Sequence, residues 1–231
     1  MATEPMSHAD VVLSPSELVL LYADQFCEKP GWGEFEFELP TGKGKVKPEQ
    51  LAEALLAGAI LASEQAGNLR LRVQEKRGFL GRRSKELLAE AGDATARWPE
   101  HTLESQVRPL VEAQPLKVSA LIAGLLKETT GSGWTQAITL VQNGLLARGL
   151  LEIEEVKQRA LLGTKTTERH RISERTAQFL TDCPVDPVKR LISECQQSHA
   201  EVWKLLQEEV KSGLRARTES DDSYPADYSP S

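Results

Sequence analysis

The stretch LAEALLAGAILASEQAGNLRLRVQEKRGFLGRR, residues 51–83, decides the fold, and TQAITLVQNGLLARGLLEIEEVKQRALLGTKTTERHRIS, residues 135–173, repeats its grammar. In each, an apolar helix ends in glycine and runs straight into a basic, hairpin-like stretch. The helix bodies are too apolar to lie on a surface, so other elements must wrap them. Small residues in the first body let neighbouring helices approach, and Gly67 is a natural C-terminal stop. Beyond it, Leu69, Leu71 and Val73 alternate with Arg70 and Arg72, which predicts a strand with one buried and one basic face. In the second copy a strand over 150–156 is expected to pair with 169–172, with ALLGTKTT making the turn and Leu161 and Leu162 near its tip.

Outward from these units the chain punctuates itself. Ser14 can N-cap a helix with Pro15 at its first position and Glu17 at the third, a capping box, and SELVLLYADQF is apolar on nearly every face. EFEFELP, 34–40, reads as a short strand by its period of two, and Pro48 opens the long apolar helix. A further helix is expected over 84–91, ending near Gly92, then loop over 93–101. LESQVRPLVEAQP and VSALIAGLLKETT read as two helices separated by Pro115, and the glycines of 131–133 break the chain before a helix over 134–148. Asp186 and Pro187 begin a long helix ending near Gly213, with Val188, Leu191, Ile192, Cys195, Val202, Leu205, Leu206 and Val210 as its stripe. Residues 1–10 read as a flexible leader, 11–213 as the folded domain and 214–231 as an acidic tail too poor in apolar residues to fold. The expected class is mainly α: a compact single-domain helical fold with short β-hairpins.

Formal net charge is −6 over 231 residues, so no global field draws the protein to nucleic acid or an anionic bilayer, and any such contact must be local. Positive charge is concentrated in the two units. Arg70, Arg72, Lys76, Arg77, Arg82, Arg83 and Lys85 face a single Glu75, and Lys157, Arg159, Lys165, Arg169, Arg171 and Arg175 face Glu168 and Glu174. This clustering points to an anionic partner, against the plainer reading of two solvated basic loops. Cys27, Cys183 and Cys195 lack the even count and spacing of a disulfide framework, which fits a reducing, intracellular setting. The start carries acid and histidine where an export signal needs a basic start and an apolar run. The longest apolar run, 54–62, falls well short of the roughly 20 residues a bilayer requires.

Four stretches carry a resemblance: LSPSELVLLYAD near the start, LLAGAILASEQAGNLRL followed by GRRSKELL, LVEAQPLKVSALIAGLL, and NGLLARGLLEIEE leading into a hairpin. In order and spacing they resemble the Golgi phosphoprotein family, the phosphatidylinositol-4-phosphate-binding adaptors and their bacterial relatives, over most of 13–173. The resemblance implies a compact, mostly helical domain that lies on a membrane, reads a phosphoinositide headgroup through arginines and projects an apolar-tipped hairpin. That hairpin corresponds to about 157–171, so Leu161 and Leu162 would touch lipid or another subunit, although two leucines can also pack back on their own domain. The family's pocket tryptophan and arginine fall at Lys47 and Leu56, and its paired arginines at Thr135 and Ile138. None matches, so no pocket residue carries over.

From the residues themselves, Arg82, Arg83 and Lys85 are the headgroup candidates. They precede the expected helix over 84–91, whose free N–H groups and dipole would favour an anion that arginine forks can grip. No catalytic constellation is evident. Cys195 and His199 share a helix face but have no further metal ligands in view. Cys183 has no assignable base, and Thr41-Gly42-Lys43-Gly44 lacks phosphate-loop spacing. The expectation is a non-enzymatic, peripheral membrane adaptor of the cytoplasm, at the Golgi only in a eukaryote. It needs no metal or cofactor, and its partners are an anionic phospholipid such as phosphatidylinositol-4-phosphate, protein clients and a second copy of itself. Two rivals stand beside it. One is a winged-helix-like nucleic-acid module with 134–148 as recognition helix and 157–171 as wing, weakened by the few cations on that helix. The other is a scaffold whose basic segments meet an acidic protein.

Overall fold

The computed structural model of the chain describes residues 12–77, 83–94, 96–127, 131–160, 163–181 and 184–221. Helix α1 (Pro15–Leu21) begins with the expected capping box: Ser14 Oγ accepts from Glu17 N–H and Glu17 Oε2 accepts from Ser14 N–H at 2.8 Å. A small antiparallel pair follows, β1 (Phe37–Glu38) with β2 (Lys45–Val46). The strand expected over 34–40 is therefore two residues long. Phe35 stays outside the ladder, its ring centroid 6.4 Å from that of Trp134.

Helix α2 (Pro48–Gln65) is the centre of the molecule, packed against five other helices, with Leu51, Leu55, Leu56 and Ile60 wholly buried. Its C-terminus is a Schellman motif. Asn68 N–H donates to Ser63 O and Gly67 N–H to Glu64 O, both at 2.9 Å, with Gly67 at φ 72°. The chain then enters β3 (Leu69–Arg77), which pairs antiparallel with β4 (Arg83–Ala91) from Leu69↔Ala91 to Arg77↔Arg83.

Strand β4 corrects the helix expected over 84–91. KELLAEA is helix-favouring by local propensity, but tertiary burial overrides it. As a strand it puts Leu87 and Ala89 on one buried face with partly covered residues between them, and it gains a third strand, β5 (Leu116–Lys117). Helices α3 (Leu103–Val111) and α4 (Val118–Leu125) flank β5 and cover this sheet.

Helix α5 (Gly133–Ala147) repeats the design of α2. Ser132 caps its start, and a second Schellman motif ends it, with Leu150 N–H donating to Leu145 O at 2.8 Å, Gly149 N–H to Leu146 O at 2.9 Å and Gly149 at φ 67°. The hairpin of β6 (Leu151–Ala160) and β7 (Gly163–Ile172) follows, longer than the expected 150–156 and 169–172 because most of the supposed turn is strand. Helices α6 (Glu174–Leu180), α7 (Asp186–Ser198) and α8 (Ala200–Asp221) complete the fold. The single helix expected over 186–213 breaks at His199, whose φ −132° and ψ 47° are not helical. Helix α8 continues past Gly213 to Asp221 with Leu214 buried, so the folded part outruns the expected boundary at 213. The leader 1–10 and residues 222–231 lie outside the described residues.

The described residues are predominantly helical, with three small antiparallel sheets and one continuous buried apolar cluster among them. Inside it sits a polar clasp. Glu104 of α3 is wholly buried and accepts from Ser16 N–H at 2.7 Å and Ser16 Oγ–H at 2.8 Å. It thereby satisfies a free donor in the first turn of α1. Arg148, ending α5, donates from one nitrogen to both Glu17 oxygens at 2.6 and 2.7 Å and from the other to Val12 O. Burial pushes the carboxyls of Glu17 and Glu104 above the usual range, opposed at Glu17 by the Ser14 amide and by Arg148.

Candidate functional site

The two basic hairpins are the candidates, and their local structure explains what each can present. At the base of β3–β4, Leu69, Leu87 and Ala89 close the core, while Gln74, Glu75, Lys76, Arg83, Ser84 and Lys85 are exposed at the far end. Of the β6–β7 residues whose burial is described, Leu151 alone is buried, Val156, Thr167, Arg169, His170 and Ile172 are half-buried, and residues 152–155 are exposed on both faces, Ile153 to 52%. The described far end of β3–β4 and residues 152–155 of β6 are therefore open to solvent.

Most of the described cations have acids as partners. Arg70 meets Asp93 at 2.8 Å, Arg72 meets Glu90 at 2.7 Å and Lys76 lies 3.7 Å from Glu86. Lys85 is bound by Glu201 of α8, which holds its ammonium above the ordinary value through that hydrogen bond. On the second hairpin Arg171 reaches Glu154 at 3.2 Å and Arg169 pairs with Glu38 of β1. Burial holds His170 below the ordinary imidazole value, against the pull of Glu168. Exposed pairs of this kind contribute only about 0–1 kcal/mol each, but they lower the free positive charge of the stems.

Arg83 differs. It is exposed, makes no ion pair among the described residues and stands directly opposite Arg77 in the ladder. Of the three headgroup candidates, Arg83 thus remains an open cation and Lys85 is occupied, while Arg82 lies outside the described residues. Arg83 and Lys85 lie in strand β4 and not at a helix start, so the dipole argument fails for them. Leu161 and Leu162 also lie outside the described residues, as does Cys183.

The positions aligned with the family's headgroup residues separate. Thr135 and Ile138 line a hollow of about 170 Å³ with Phe35, Phe37, Pro48 and Trp134. Lys47, next to Pro48, is held by Glu34 at 3.3 Å and Glu28 at 3.4 Å, and Leu56 is in the core. The hollow is aromatic where the resemblance implies a basic pocket. Among the described residues no group of three or more His, Cys, Asp or Glu could hold a metal, and no helix is long and apolar enough to cross a membrane. Cys195 is buried, and burial followed by Glu64 raises its thiol, which disfavours the thiolate a ligand or nucleophile needs.

A scan against family models found no match to the chain, and neither the curated proteins nor the solved structures hold a significant match.

Proposed function

We propose that the protein is a non-enzymatic, peripheral membrane adaptor that meets an anionic phospholipid surface through the distal ends of its hairpins. The observation that carries this reading is Arg83 at the exposed end of β3–β4, a cation with no ion pair among the described residues beside stems whose other described charges are largely compensated. The ordered resemblance to the Golgi phosphoprotein family adds support, with phosphatidylinositol-4-phosphate as the first lipid to test. Since the positions of the family's headgroup residues line an aromatic hollow, lie in the core or, at Lys47, are held by Glu28 and Glu34, the phosphate would be gripped by arginine at the hairpin end.

Vesicle co-sedimentation of the full chain tests the proposal, comparing phosphatidylcholine alone with the same lipid containing phosphatidylserine or phosphatidylinositol-4-phosphate. Pelleting with the anionic vesicles, lowered at high salt and by Arg83→Glu, is the expected result. Equal binding to neutral vesicles, or none to any, overturns it. The nucleic-acid reading has less support, because α5 is buried along Gln136, Ala137, Ile138, Val141 and Leu145 and its terminal Arg148 is committed to Glu17. A recognition helix must be free to enter a groove.

A further inference from the structure

The segment between α1 and α2 presents an aromatic tip that the hairpin reading does not use. Gly31, Trp32, Gly33 and Glu34 form a β-turn in which Glu34 N–H donates to Gly31 O at 3.2 Å, with Gly33 third in the turn at φ 80°. The Glu34 carboxylate accepts from Gly31 N–H at 2.6 Å, so the turn is closed twice. Its base is pinned as well: Glu28 N–H donates to Gln50 Oε1 at 2.9 Å and Lys47 N–H to Glu28 O at 3.3 Å. On this braced loop Trp32 is 104% exposed and Phe35 77% exposed. A large aromatic pair held outward forgoes the burial that such side chains otherwise gain, which marks a contact surface.

The charges around the tip indicate what it contacts. Each of the four carboxylates over 28–47 has a cation beside it: Glu28 and Glu34 share Lys47, Glu36 has Lys45 and Glu38 has Arg169. Lys29 and Lys43 are exposed and have no ion pair among the described residues, Lys43 lying 5.8 Å from the centre of the Tyr22 ring. The loop therefore offers aromatic surface with its acids neutralised and two ammonium groups that have no carboxylate partner among the described residues. Tryptophan favours the lipid–water boundary, and apolar area combined with lysine is what binds an anionic interface.

Resting on the membrane reading above, we infer that the Trp32–Phe35 loop is a second membrane contact, an aromatic anchor that enters the interfacial layer of an anionic bilayer. The test uses the full chain with vesicles of phosphatidylcholine and phosphatidylserine, with and without brominated acyl chains. The difference in fluorescence between the wild type and Trp32→Ala isolates the emission of Trp32. The expected result is a blue shift of that difference on adding vesicles, its quenching by brominated lipid, and an apparent lipid affinity lowered at least about five-fold in the double variant Trp32→Ala, Phe35→Ala. If the wild type and the double variant bind equally while Arg83→Glu weakens binding, and Trp32 is not quenched, the anchor is overturned and the membrane reading stands. The loop would then face a protein. If the wild type binds no vesicle, both are overturned. An unchanged melting temperature of Trp32→Ala, whose side chain is fully exposed, guards against a folding artefact.

Discussion

Replacing Arg148 with alanine removes the cation that reaches a carboxylate buried between α1 and α5. The Glu17 side chain is 1% exposed and that of Arg148 17%, and one guanidinium nitrogen contacts both carboxylate oxygens. Breaking a buried pair from one side leaves an uncompensated charge and costs about 3–5 kcal/mol, and the bond to Val12 O is lost as well. The lower end applies here, because Glu17 keeps the Ser14 amide and can take up a proton. We expect a loss of about 3 kcal/mol for Arg148→Ala at pH 7. Glu17→Gln should lose less, about 1–2 kcal/mol, since Arg148 lies nearer to water. Acid gives the sharper test. Burial already raises the Glu17 carboxyl above its ordinary value of 4.5, and removing Arg148 deletes two influences that lower it. The folded variant then holds a proton at a pH where the unfolded chain has lost it. Its stability is accordingly greatest at low pH and falls as pH rises from 4.5 through the folded value. Urea unfolding followed by circular dichroism at pH 7 and pH 5 should show the deficit of Arg148→Ala shrinking towards pH 5. A deficit below about 1 kcal/mol at pH 7, the level of a surface pair, would refute the buried pair, and one that does not shrink in acid would refute the proton argument.

Glu104→Gln carries the same sign without a cation: the buried carboxyl is raised above its ordinary value, so the wild type loses stability as pH rises from 4.5, and the glutamine variant should flatten that slope in urea melts. For Gly144→Ala, a methyl group would stand 2.2 Å from His101 O. Alanine gains about 1 kcal/mol in a helix interior, whereas overpacking against backbone costs about 1–3 kcal/mol; we expect a net loss and a lower melting temperature, and a stabilised variant would show that α5 does not approach this loop. Burial, and secondarily Glu53, pushes the Cys27 thiol up to about 12. Iodoacetamide at pH 8 should leave Cys27 unmodified in the folded protein and alkylate it in urea, as read by peptide mass spectrometry.

Local grammar was readable from the sequence where a backbone rule fixes the outcome. The Ser14–Glu17 box, Pro48 at the head of α2 and Gly67 at its foot act within a single turn, so a short window contains both partners. Residues 84–91 carry a helical preference that is local, while the strand they form is imposed by β3 and by the core contact of Leu87 and Ala89. The break at His199 has no glycine or proline to announce it, and a periodic stripe runs through it. At the candidate site the missing knowledge was non-local. Glu90 lies 18 residues from Arg72, Glu201 lies 116 from Lys85 and Glu38 lies 131 from Arg169. Clusters of like charge along the chain are consequently poorer guides to free charge in space than they look.

The two repeated units make that point structurally. Each has an apolar helix, a Schellman stop and an antiparallel hairpin, yet they have different fates. In the first, β4 brings Leu87 and Ala89 to the core and accepts β5 on its outer edge, so the hairpin base becomes part of the scaffold. In the second, Leu151 and half-buried Ile172 close the base, and among the described residues the ladder has no third strand. An isolated two-stranded ribbon is marginal in water and gains most from a further surface. The base of this ribbon is tied to the body through Arg169 with Glu38 and through Ile172 N–H with Pro40 O at 3.2 Å, both beside β1. Those ties join the second hairpin to the segment that carries the aromatic loop, while Lys85 with Glu201 joins the first hairpin to α8. Any surface that engages the second hairpin thus acts on an element already coupled to the aromatic loop. Loss of the Arg169–Glu38 pair should weaken that coupling while leaving the core of α2 intact.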